Sequence, residues 1–384
     1  MSVDARPLHG LGPAARACLV AGLTTDPPDL PDQASFAEES NLLAQEGLSP
    51  IALTLAGSEG GLDAETFALF RQVTLESQIR AMAAGHAARG ALLHFDKSGI
   101  PVVVIKGPAV ERFHPPGWPR SYSDIDLMVA PRDFHAVVEA CVEAGFVDAV
   151  SKPPWPWFDL RCKEGINIRG PEGGNLDIHH HIPPWVFGDR LGVDEILATA
   201  TWADVGGAPV RLTDAPYSLV IASLHVLNDL WKGRIGLSSW RDILILLGVV
   251  GMDRAEETFD SLGLGWLLGL VAGELAASVP ESEVVVPTDR HPVPLTARAR
   301  IAVLGWNNDS AVSSLRASWV ARLPAPQAAA FLAGCAVPRR TFVQEGFGSY
   351  RAYWGSLFSE ARSTMHGADY RGAKGWEQGW KADD

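Results

Sequence analysis

Residues Ile100 to Val129 read IPVVVIKGPAVERFHPPGWPRSYSDIDLMV. Val102 to Ile105 is a short β-branched run of the kind that forms a buried strand. Pro101 opens it, where a missing N–H does little harm. The run ends in Lys106-Gly107, a proline-rich connection follows, and a second apolar segment carries Asp124-Ile125-Asp126. Side chains alternate faces along a strand, so Asp124 and Asp126 share one face while Ile125 and Leu127 pack on the other. Positions i and i+2 lie roughly 6.6 Å apart. Two carboxylates at that range in a half-buried site repel by about 2–3 kcal/mol at an effective dielectric of about 20. A hard divalent cation such as Mg²⁺ removes that repulsion by taking carboxylate oxygens. The alternative is a solvated edge strand with two exposed acids, and an isolated Asp-x-Asp does not separate the two.

Working outward, Arg132 to Gly145 has the clearest helical spacing, with Phe134, Val137, Val138, Cys141 and Val142 on one face. Phe146 to Val150 reads as a strand. Pro153-Pro154-Trp155-Pro156-Trp157 is a loop whose aromatics either pack or stack on a base. Phe158–Cys162 and Ile166–Arg169 flank a Lys163-Glu164-Gly165 turn as a hairpin. Next comes Asn175 to Ile182, NLDIHHHI, where alternation sets Asp177, His179 and His181 on one face and Leu176, Ile178 and His180 on the other. Adjacent histidines on a strand cannot all face one ion, which speaks against zinc at the triple His.

Upstream, residues 1–62 hold two weak helical patterns, 13–23 and 34–47, separated by the turn-rich Thr24 to Asp32, and Gly57 to Gly61 is a loop. Asp63 caps a long helix with Phe67, Phe70, Val73, Ile79 and Met82 on one side. Beyond Val193 the chain turns mainly helical, with helices expected at Ala215–Trp231, Ser239–Val250, Asp253–Leu262, Trp266–Ala277 and Leu295–Leu304. A proline-rich linker covers 280–294, and one helix is expected near Gly348–Met365.

Net charge is −13, from 32 Lys+Arg against 45 Asp+Glu, which argues against broad, sequence-independent binding to nucleic acid. The four cysteines, Cys18, Cys141, Cys162 and Cys335, form no C-x-x-C pair and read as reduced thiols of a cytoplasmic protein. No stretch is long and apolar enough to predict a membrane span, and the N-terminus does not resemble a signal peptide.

Three carboxylates, Asp124, Asp126 and Asp177, thus fall on one inferred sheet beside Lys106-Gly107 and Arg120. Gly107 allows a sharp turn, and Pro108 suits a first helical position. A helix N-terminus favours phosphate, and Lys106 and Arg120 add positive charge for a polyphosphate. Phosphoryl or nucleotidyl transfer with one or two Mg²⁺ ions suits this set. His179 either orients Asp177 or contacts substrate, or is a hydrogen-bonded core histidine. His225 and Asp229 share a helix face and line a cleft or bond another helix, and Asp242 reads as a capping or packing acid, with contact to the nucleotide as the alternative.

The segments KGPAV, RSYSDIDLMV and LDIHHHI, in that order, resemble the uncharacterised bacterial nucleotidyltransferase family of the polymerase-beta-like superfamily. The pattern falls on Lys106-Gly107, Arg120 to Asp126, Gly145-Phe146 and Asp177-Ile178-His179, with His225 and Trp240-Arg241-Asp242 similar downstream, over roughly Ile100 to Val250. Two departures stand out: Lys106-Gly107 replaces a Gly-Ser, and the gap to Asp124 is longer.

The resemblance implies an α+β fold: a polymerase-beta-like nucleotidyltransferase palm, a mixed sheet with flanking helices. The expected domains are an N-terminal helical extension (1–98), the palm (99–212), a helical domain (213–338) and a tail (339–384). It implies that Asp124, Asp126 and Asp177 are catalytic and hold two Mg²⁺ ions. Lys106, Gly107, Arg120 and His179 would bind the nucleotide. The implied reaction moves an NMP from an NTP such as ATP to a hydroxyl or similar group of a small-molecule or peptide acceptor, releasing pyrophosphate. Competing expectations are a metal-dependent sugar-nucleotide glycosyltransferase, which also uses Asp-x-Asp, and an inactive nucleotide-binding protein.

Overall fold

The computed structural model describes residues 8–24, 29–57, 61–148, 162–170, 174–231, 235–282, 284, 292–297 and 323–355. Seven strands form one mixed sheet: β1 Val102–Val104, β2 Asp124–Val129, β3 Val147–Asp148, β4 Gly165–Arg169, β5 Asn175–His179, β6 Thr201–Val205 and β7 Ala208–Leu212. Their spatial order is β3-β4-β5-β2-β1-β7-β6. At the centre, β2 runs antiparallel to β1 and parallel to β5. The α+β class expected from the sequence is the one observed.

Alternation along the central strands divides the interior into two cores. Val102, Val104, Ile125, Leu127, Val129, Leu176 and Ile178 point to one side, where Ala84, Ala88, Ala91 and Phe95 of the 35-residue helix Ala64–Ser98 cover them together with helix Phe134–Glu143. Val103, Ile105, Met128 and Ala130 point to the other, toward the helices Ala215–Trp231 and Leu237–Val250. The N-terminal helices Pro13–Val20, Gln33–Gln45 and Ser49–Gly57 bury Leu19, Phe36 and Ile51 in that same second core.

Buried charges fasten this second layer. Glu46 accepts the N–H groups of Gly236 at 2.7 Å and Leu237 at 3.0 Å, capping helix Leu237–Val250 from a distant part of the chain. From that helix, Arg241 donates to the carbonyls of Cys18, Leu19 and Ala21 at 2.9, 2.8 and 2.7 Å. These are carbonyls that the end of helix Pro13–Val20 leaves without intrahelical partners.

Several elements differ from expectation. Asp63 does cap the long helix, accepting from Thr66 N at 2.8 Å. Its expected apolar side is not the buried one, however: Phe70 is buried, but Phe67, Ile79 and Met82 are exposed. The buried stripe in the C-terminal half is alanine-rich, which lets the helix lie close to the sheet. The helix after Gly107 is a single turn, Pro108–Glu111. Strand β4 pairs with β3 and β5. A β6–β7 hairpin through Gly206-Gly207 and the helix Ser49–Gly57 were not anticipated. Residues 153–157 and 158–161, most of 295–304, and the part beyond residue 355 of the helix expected near Gly348–Met365 lie outside the described residues. No helix among the described residues is long and apolar enough to cross a membrane.

Candidate active site

The parallel register of β2 and β5 builds the site. Asp126 is the partner of Asp177, Asp124 that of Asn175, and Met128 that of His179. Parallel neighbours lie about 4.8 Å apart, so Asp126 and Asp177 stand side by side on one sheet face. The same face carries His179, two residues beyond Asp177. The His179 Nε2 atom is 3.4 Å from Asp126 Oδ1 and 3.3 Å from Asp177 Oδ2. Asp126 and His179 are buried, while the Asp177 side chain is 30% exposed and marks the open side of the cluster.

Lys106 enters from the end of β1. Ile105 N donates to Asp126 O at 3.0 Å, which fixes the strand end against β2. Gly107 then turns the chain at φ 59°, where a β-carbon would stand 3.4 Å from Asp124 O. Only glycine adopts such a backbone without strain. Lys106 Nζ lies 3.5 Å from Nδ1 of His225, which reaches down from helix Ala215–Trp231. Asp229 of that helix accepts from Ser239 Oγ at 3.0 Å, a helix-to-helix bond.

The electrostatics is uneven. Burial, then repulsion from Asp126, pushes the Asp124 carboxyl up to about 6, against the pull of Lys106. Burial also pushes Asp126 up, but the adjacent His179 imidazole, Lys106 and His225 outweigh it and hold that carboxyl below the usual carboxylate range. For His179, burial pulls down while Asp177 and Asp126 raise the imidazole to about 10. Asp124 and Asp126 thus repel each other, and Lys106 and the protonated His179 offset their charge.

Among the described residues, one ligand atom from each of Asp126, Asp177 and His179 lies within 4.8 Å of the others. Asp124 is their neighbour but not part of that tight group. The donor set fits a divalent ion: two carboxylates on rigid strands and an imidazole aimed at both.

Arg120 occupies a different place from a free phosphate clamp. It is buried, and its guanidinium is engaged by Asp242, with Nε 2.9 and 3.0 Å from the two carboxylate oxygens and Nη2 2.8 Å from Oδ2. His114 Nε2 is 3.0 Å from Asp242 Oδ1. Burial pushes Asp242 up, yet Arg120 and His114 hold its carboxyl well below the usual range. Sequence reasoning set Asp242 down as a capping or packing acid and gave His114 no role. No local spacing could have joined positions 120 and 242.

The mixed sheet thus presents paired aspartates on β2, a third on parallel β5 and a lysine at the adjoining strand end. The chain belongs to the uncharacterised nucleotidyltransferase family, whose model matches residues 36–272. No curated protein and no solved structure matches it.

Proposed function

We propose that the protein is an Mg²⁺-dependent nucleotidyltransferase that moves an NMP from an NTP to a hydroxyl or similar group of a small-molecule or peptide acceptor. The observation that carries this reading is the side-by-side register of Asp126 and Asp177 with Lys106 converging on them. Asp124, Asp126 and Asp177 would hold one or two divalent cations, which when bound neutralise triphosphate and pyrophosphate charge. Lys106 offers a positive charge to the phosphates from a position fixed by Gly107. The accessible Asp177 faces the side from which an acceptor must arrive and accepts its proton. The acceptor oxygen then bonds to the α-phosphorus and the bond to pyrophosphate breaks. Arg120, held by Asp242, keeps the β2 entry rigid, so that the catalytic groups are positioned before substrate binds.

Family membership favours this reading over a sugar-nucleotide transferase, as does β2 running antiparallel to β1 rather than in a repeated βαβ unit. The test is to incubate the protein with each α-labelled NTP, Mg²⁺ and a panel of hydroxyl-bearing acceptors. Label on an acceptor with matching pyrophosphate supports the proposal. A turnover confined to sugar nucleotides, or tight NTP binding with no turnover on any acceptor, contradicts it.

A further inference from the structure

His179 is oddly placed for a counter-ion. A charge-assisted N–H···O bond closes to about 2.8 Å. The His179 Nε2 atom instead stands off Asp126 and Asp177 almost equally, at 3.4 and 3.3 Å. Neither ring nitrogen makes a hydrogen bond of ordinary geometry among the described residues, although the residue is only 5% exposed.

The spacing suits atoms that share a cation. With bonds of about 2.1 Å, neighbouring ligand atoms are about 3.0 Å apart around a six-coordinate ion and about 3.4 Å apart around a four-coordinate one. The two separations from His179 Nε2 fall in that interval, and the ligand atoms of the three residues all lie within 4.8 Å of one another. The triangle is built into the backbone: Asp177 and His179 are i and i+2 on β5, and Asp126 is the register partner of Asp177. Such a site is rigid before any ion arrives, and the half-open Asp177 side leaves room for further ligands.

Donor chemistry then decides which ion. Carboxylate and water suit Mg²⁺, whereas an imidazole adds affinity for first-row transition ions. We infer that His179, giving up its ring proton as the ion binds, is a direct metal ligand and that the Asp126–Asp177–His179 site binds a divalent first-row transition ion in preference to Mg²⁺. This rests on the nucleotidyl-transfer reading and refines it: an ion held beside β5 would have a mixed oxygen and nitrogen shell.

The test uses the full chain and Mn²⁺ alone, without turnover. Paramagnetic resonance titration of the metal-free protein should show one Mn²⁺ site at least about tenfold tighter than Mg²⁺ in competition. Electron spin-echo modulation should show a directly bonded ¹⁴N. In His179→Gln the nitrogen signal disappears and the preference for Mn²⁺ falls about tenfold, while His225→Gln keeps both. Bound Mn²⁺ with no nitrogen signal in the native protein overturns the inference and leaves the nucleotidyl-transfer reading standing. So does a preference unchanged by His179→Gln. Failure of both Mn²⁺ and Mg²⁺ to bind, with or without ATP, overturns both together. The native-protein spectrum decides even if a variant does not fold.

Discussion

Arg120 and Asp242 meet in a buried bidentate ion pair although 122 positions separate them. Both side chains are almost wholly withdrawn from water, at 4% and 2% exposure. Arg120 opens the segment that leads into β2, and Asp242 belongs to the helix Leu237–Val250. The pair therefore locks the strand bearing Asp124 and Asp126 to the helical layer above it.

Stripping one partner from such a pair leaves a buried charge uncompensated, which costs about 3–5 kcal/mol. Asp242→Asn is expected to lose that much in urea unfolding. The pH dependence has a definite sign. In the unfolded chain an aspartate titrates at about 3.9, and the folded Asp242 titrates lower. Between those values the unfolded chain binds more protons, so stability rises with pH. The contribution is full above about pH 5 and fades as pH drops below about 4. A native acid-unfolding slope retained in Asp242→Asn would contradict this assignment.

Asp124 carries the opposite sign. Its folded carboxyl is raised to about 6, chiefly by burial. Ionising it costs stability that is absent below about pH 4 and fully felt once pH has risen past 6. Asp124→Asn should therefore stabilise the metal-free protein at pH 7.5 by on the order of 1 kcal/mol, with no gain at pH 4. Urea midpoints in the presence of a chelator check it. A loss at pH 7.5 would show that Asp124 is not strained by its neighbours.

On the proposed reading Lys106 touches the reaction through the phosphates. Lys106→Ala is expected to raise the apparent KM for the NTP about tenfold with a smaller effect on kcat, as when binding shared by ground and transition states is removed. Steady-state kinetics with saturating acceptor separates the two constants, and an unchanged KM would take Lys106 out of the phosphate site.

Arg241 answers three carbonyls near the end of helix Pro13–Val20. Hydrogen bonds to a buried charge are worth about 1.5–3 kcal/mol each, and their losses overlap. Arg241→Met should lower stability by about 3 kcal/mol. Amide exchange over residues 13–20 should accelerate before the rest of the chain responds. Uniform acceleration everywhere would argue that the N-terminal helix is not a separately releasable unit.

What the sequence disclosed follows from the range of each rule. Alternation is a two-residue rule, and it was enough to put Asp124 with Asp126 and Asp177 with His179. The capping of the long helix by Asp63 and the stop at Gly145 are equally local. Which side of Ala64–Ser98 is buried was not readable from its large apolar residues. Close approach to the sheet selects small ones such as Ala84, Ala88 and Ala91, and Ile79 and Met82 are left in solvent. The β6–β7 hairpin did carry a local signal in Gly206-Gly207, a glycine pair suited to a tight turn, which helical spacing nearby obscured. The Arg120–Asp242–His114 cluster had none, because pairing across more than a hundred residues is set by tertiary packing alone.

The central claim is that Asp126 and Asp177 jointly support nucleotidyl transfer. Its most direct test is the rate of Mg²⁺-dependent pyrophosphate release from an NTP, with the panel of hydroxyl-bearing acceptors present, by the native protein and by Asp126→Asn, with far-ultraviolet circular dichroism confirming that the variant folds. The expected result is release by the native chain and a loss of at least about a thousandfold in the folded variant. Near-native release by folded Asp126→Asn would contradict the claim.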